Sequence, residues 1–196
     1  MALAILILRN LWTRIAGIVG VLTPFVTFAV ILTAISHSPW FSWRRNALSD
    51  LGVSNGVAAL FNLGLILGGI LTLLFASGVY LAMKRTSTRI GAVILILAAL
   101  SLILIGVFPE NIGEPHLYAS VSFFILLPLS QIAIGMSMMK AENDRFVGMF
   151  SVIAGVATAF VWSLPSEGAA IPEALSSALA SLWSIVFGLK LYKQEL

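Results

Sequence analysis

Of the 196 residues, 60% are hydrophobic and 10% charged, with a mean hydropathy of +1.05. A soluble domain is about half apolar and a quarter charged, so this composition excludes an ordinary soluble chain and defines an integral membrane protein. In such a chain the formal charge of +3 reports topology rather than nucleic-acid binding, and the absence of cysteine excludes disulfides, thiolate metal sites and cysteine nucleophiles.

The chain opens MALAILIL. No positive charge precedes this run, and it leads to Arg9 and Arg14 rather than to a small-residue cleavage site. It reads as an uncleaved lead-in to the first span, lying at the membrane interface. Crossing a hydrocarbon core of ~30 Å takes roughly 20 apolar residues. Six segments approach that length: 15–36, 57–83, 90–108, 117–139, 146–164 and 171–189. No stretch between them is long enough for a soluble domain. The expected fold is all-α, a single polytopic six-transmembrane-helix bundle over residues 1–196.

Basic residues alternate by connection. Arg9 and Arg14 precede span one, Lys84, Arg85 and Arg89 join spans two and three, Lys140 and Arg145 join four and five, and Lys190 and Lys193 follow span six. The opposite side holds Arg44 and Arg45 with Asp50, Glu110, Glu114, Glu167 and Glu173. The positive-inside rule puts both termini in the cytoplasm of a multi-pass cell-membrane protein, with the acid-rich loops outside.

Within the spans, Gly64 and Gly68 form a Gly-x-x-x-Gly pair, Gly17 and Gly20 mark span one, and Ser177, Ser181 and Ser184 mark one face of span six. Small residues let helix backbones approach in lipid, so these are helix contacts, and the glycine faces serve equally for a homo-oligomer. Pro24 and Pro128 should kink their helices and release carbonyls inside the bundle. Polar residues at depth are Asn62, Ser101, Ser130 and Gln131, with no ionisable group near mid-span. That counts against an ion-coupled transporter or proton pump.

Chemistry is left to the outward loops. The first runs from His37 through SWRRNALSDLG (Ser42 to Gly52), the second reads FPENIGEPH with Glu110, Glu114 and His116, and the third carries Ser166, Glu167 and Glu173. Trp40, Phe41 and Trp43 suit the headgroup level, where amphipathic rings settle. Each polar residue has a structural reading beside a functional one. Ser49 or Asp50 can cap the second span. Arg44 and Arg45 can pair with Asp50 or clasp a lipid phosphate, because guanidinium matches both anions.

Joined together, His116 is a candidate general base, Asp50 its orienting partner and Ser49 or water the nucleophile. Arg44, Arg45, Asn46, Glu110 and Glu114 then contact substrate. A metal on Asp50, His116 and Glu110 or Glu114 is the alternative, of unspecified identity. Two histidines, His37 and His116, exclude a three-histidine zinc site within one chain.

Leu48-Ser49-Asp50-Leu51-Gly52 before span two, Val107-Phe108-Pro109 leaving span three and His116 opening span four together resemble a prokaryotic membrane-protein family catalogued as domain of unknown function 998. The Ser-Asp-x-Gly turn with a later histidine is also distantly similar to the damage-regulated autophagy modulator family, whose relatives act in GPI-anchor lipid remodelling. The resemblance implies a six-helix plan and a shared polar site at Ser49, Asp50, Gly52 and His116. It implies no settled activity. The expected partners are membrane lipids: the protein binds an outer-leaflet headgroup at that site, with a membrane-embedded hydrolase and a non-catalytic scaffold as the alternatives.

Overall fold

The computed structural model of the chain describes residues 2–140 and 145–193. Six long helices follow one another: α1 (Ala2–Ser36), α2 (Ala58–Ala82), α3 (Thr86–Val107), α4 (Glu114–Met138), α5 (Arg145–Phe160) and α6 (Ala170–Lys193). Each is long and apolar enough to cross a membrane. Their outer faces carry large apolar side chains, among them Leu63, Leu97, Ile125, Ile153 and Leu182, as a lipid solvent requires and water would penalise. The protein is a multi-pass membrane protein.

The expected spans match these helices within a few residues at most ends. α1 differs in length: the helix runs unbroken from Ala2 to Ser36, so the lead-in and the expected span 15–36 form one element. Arg9, Asn10, Thr13 and Arg14 interrupt the apolar run, and none of these residue types breaks a helix.

The helices pack in sequence, α1 on α2, α2 on α3, α3 on α4 and α4 on α5, and α6 returns to α1. Consecutive spans that each cross the membrane run in opposite directions. Glycines set the closest approaches. Gly64 and Gly68 lie under Val30 and Thr27 of α1, and Gly17 meets the backbone of Gly188. Behind them Phe75 packs edge-on against Trp183 and Phe187, with ring centroids 5.9 and 6.3 Å away. Trp183 also donates through Nε1 to Ser151 Oγ at 2.9 Å, which secures α5 to α6.

Both prolines lie inside helices, α1 for Pro24 and α4 for Pro128. Without an N–H, Pro24 cannot bond the Gly20 carbonyl one turn earlier. Ser184 of α6 donates to that carbonyl at 2.7 Å. By the same rule Pro128 releases the carbonyl of Phe124.

Candidate functional site

The three acid-bearing connections meet at one end of the bundle. The first contains a short 3₁₀ helix, Leu48–Val53, and the second another, Glu110–Ile112, and the two are in contact. Ser49 and Asp50 belong to the first of these, so they do not cap α2 as the sequence suggested: α2 begins after Val57 with no side-chain cap. Asp50 secures its own turn. One carboxylate oxygen accepts from Asn46 Nδ2 at 2.6 Å and from the Ala47 N–H at 3.1 Å. Asn46 Oδ1 accepts the Ser42 N–H at 2.9 Å, so both ends of this amide are spent within the loop.

The third connection docks onto the first. The Ala170 N–H donates to the Asn46 carbonyl at 2.9 Å, and Gly168 lies so close to Arg45 and Asn46 that a methyl there would meet backbone at 2.6 Å. From α6, Glu173 Oε2 accepts the Leu48 N–H at 2.6 Å. The second connection is aimed by Gly113, whose φ of 81° turns the chain into α4.

His116 stands in the first turns of α4, 8% exposed. Its Nδ1 lies 2.7 Å from the Phe108 carbonyl oxygen. A carbonyl only accepts, so Nδ1 carries a proton and donates it to this bond. The group that orients the imidazole is therefore this carbonyl, where the sequence reading assigned Asp50. His37 is exposed, and its Nδ1 lies 2.9 Å from the Thr33 carbonyl on its own helix.

Glu110 faces Ser49, Asp50 and His116. Burial and the neighbouring Asp50 carboxylate push its carboxyl above the usual carboxylate range, against a hydrogen bond from Ser49 and the nearby imidazole, which act the other way. Its Oε2 is shielded from solvent and has no hydrogen-bond partner.

A cavity of about 950 Å³ opens beside this cluster, between α4 and α5. Its polar end is lined by Ser49, Glu110, Glu114, His116, Ser120 and Glu173. The wall continues along α4 through Leu117, Val121, Phe124, Pro128 and Ile132, faced by Ala159 and Trp162. From His116 to Ile132 is roughly 24 Å of helix at 1.5 Å per residue. Leu117, Val121 and Leu129 are exposed on the lipid-facing surface, so the cavity is open sideways to the bilayer. Phe124 and Trp162 meet in its wall at a tilt of 58°, with centroids 4.6 Å apart.

Arg44 and Arg45 are exposed and lie outside this lining, as do Asp50 and Asn46. Among the described residues no three histidine, aspartate or glutamate side chains converge to hold a metal ion, so the ligand set of Asp50, His116 and Glu110 or Glu114 is not assembled. The physical reason is that Asp50 is turned onto Asn46 and Ala47. Sequence reasoning missed Glu173 as the third carboxylate of the cavity, beside Glu110 and Glu114. It also missed Ser120 and the α4–α5 wall, where apolar residues look like any other lipid-facing stripe.

Six apolar helices, three converging loops and a side-opening cavity with a carboxylate- and imidazole-bearing end define a polytopic helical membrane protein with one candidate ligand site. The chain belongs to the family described as protein of unknown function, DUF998, whose model it matches over residues 21–190. Comparison with curated proteins and with solved structures gave no match.

Proposed function

We propose that this protein binds a membrane lipid, with the headgroup at the Ser49–Glu110–His116–Glu173 end and an acyl chain in the α4–α5 cavity. The positive-inside bias puts that end outside the cell, so the lipid belongs to the outer leaflet. The observation that carries the reading is the continuity of the cavity, from buried polar side chains to an apolar wall open to the bilayer. A water-soluble ligand has no use for such a wall, whereas a lipid needs both halves.

Ala159 lines the cavity from α5 and is exposed, so Ala159→Trp fills it without entering the packed core. Native mass spectrometry of detergent-purified protein should find a retained lipid on the wild type and lose it in Ala159→Trp. Equal lipid on both proteins would refute binding at this place and leave the loops as a structural clasp.

A second reading rests on His116. Its Nε2, on a buried ring fixed by Phe108, suits a general base, with Ser49 or water as nucleophile. The protein would then hydrolyse the lipid it holds. Phospholipid vesicles incubated with the reconstituted protein should yield a cleaved product that His116→Ala abolishes. A rate unchanged by that substitution removes His116 from any mechanism.

A further inference from the structure

The polar end of the cavity is rich in acceptors. Glu110, Glu114 and Glu173 supply three carboxylates, Ser49 and Ser120 hydroxyls, and His116 an imidazole. Among the described residues neither lysine nor arginine lines it. A headgroup presenting only phosphate would meet three acidic side chains there, with no lysine or arginine to bind it. Yet one of these carboxylate oxygens lacks a donor: Glu110 Oε2 is shielded from solvent and unpartnered, and an oxygen in that state costs free energy until an N–H or O–H reaches it. The arginines lie outside this lining. Arg44 and Arg45 are exposed in the same connection that carries Ser49.

Resting on the lipid-binding reading above, we infer that the headgroup held here carries a primary ammonium group, seated between Glu110 and Glu173, with its phosphate directed outward to Arg44 and Arg45. Charge complementarity selects the cation and the unpartnered oxygen selects one that has N–H groups. A quaternary ammonium has none, and is held instead against aromatic faces. The aromatic pair of this cavity, Phe124 and Trp162, lies about two turns of α4 beyond His116, roughly 12 Å from it. The burial that raises the Glu110 carboxyl fits the same picture, since a bound cation returns the charge to that group.

The test uses the purified protein in nanodiscs of equal parts phosphatidylethanolamine, phosphatidylcholine and phosphatidylglycerol, extracted and read by native mass spectrometry. Wild type should carry phosphatidylethanolamine enriched several-fold over the bilayer. Glu110→Gln with Glu173→Gln keeps both side-chain shapes, and should bring retained lipid to the bilayer ratio without lowering its amount. Should that pair fail to fold, the wild type alone decides. Lipids bearing one, two and three N-methyl groups should lose enrichment in order, as N–H donors disappear. Enrichment of phosphatidylglycerol, or a flat response across the methyl series, overturns the inference while lipid binding stands. Retention no greater than in Ala159→Trp overturns both.

Discussion

Glu173 Oε2 accepts the backbone N–H of Leu48 at 2.6 Å, across 125 residues of sequence. This one bond fixes α6 to the 3₁₀ turn that carries Ser49 and Asp50, and so holds one wall of the cavity against another. A hydrogen bond contributes about 1 kcal/mol net, and up to about 3 kcal/mol where the acceptor is charged. Glu173→Ala should therefore destabilise by about 1–2 kcal/mol in denaturation of the detergent-solubilised protein. Glu173→Gln, which keeps an acceptor, should lose less. Equal losses would mean that the bond contributes little.

Trp183 is a second long-range tie, 1% exposed and bonded to Ser151 while packing on Phe75 and Phe187. Trp183→Ala removes both the ring and the bond, and should cost about 3–5 kcal/mol. Trp183→Phe keeps most of the packing and should cost clearly less. Thermal unfolding followed by circular dichroism separates the two.

At the α1–α6 crossing, a methyl on Gly188 would stand 2.6 Å from the Gly17 carbonyl oxygen, a backbone atom that no side-chain rotation can move aside. Gly188→Ala should force the helices apart and destabilise by about 1–3 kcal/mol. Gly113→Ala tests a different principle. Nothing stands within 4 Å of the added methyl, but its φ of 81° disfavours a side chain, so a loss of about 1 kcal/mol is expected from backbone strain alone.

Glu110 gives the site a pH dependence. Its folded carboxyl lies above the ordinary value of 4.5, through burial first and Asp50 second. A carboxyl raised on folding holds its proton more tightly in the native state, so its contribution is fully present below the ordinary value. It is lost as pH rises through the folded one. Wild type without added lipid should lose stability over that rise, and Glu110→Gln should lose less. Stability that rises with pH by equal amounts in both proteins would show that Glu110 ionises freely.

The helices were legible because twenty-residue apolar runs and alternating basic connections are signals of composition, and the bilayer permits few other answers. The first span was expected to begin only at residue 15, after Arg9 and Arg14, although these lie within a single continuous helix. Within the site, Ser49, Glu110, Glu114 and His116 are lining residues that the sequence singled out. Their neighbours were not legible, since Glu173 meets Leu48 only through the return of α6 to α1. Asp50 looked catalytic for a local reason: an aspartate placed to cap a short turn has the same sequence signature as one poised beside a histidine. Pro24 is the clearer success, as the carbonyl it must release is the one that Ser184 meets.

The central claim is that one lipid occupies the α4–α5 cavity by choice rather than as bulk solvent. It is tested most directly by a photo-crosslinking residue at Val121, inside the cavity, compared with one at Leu63 on the exposed face of α2. In bilayers of mixed headgroups, Val121 should capture one headgroup class well above its share, while Leu63 returns the bilayer composition. Capture of the same mixture at both positions would contradict the account.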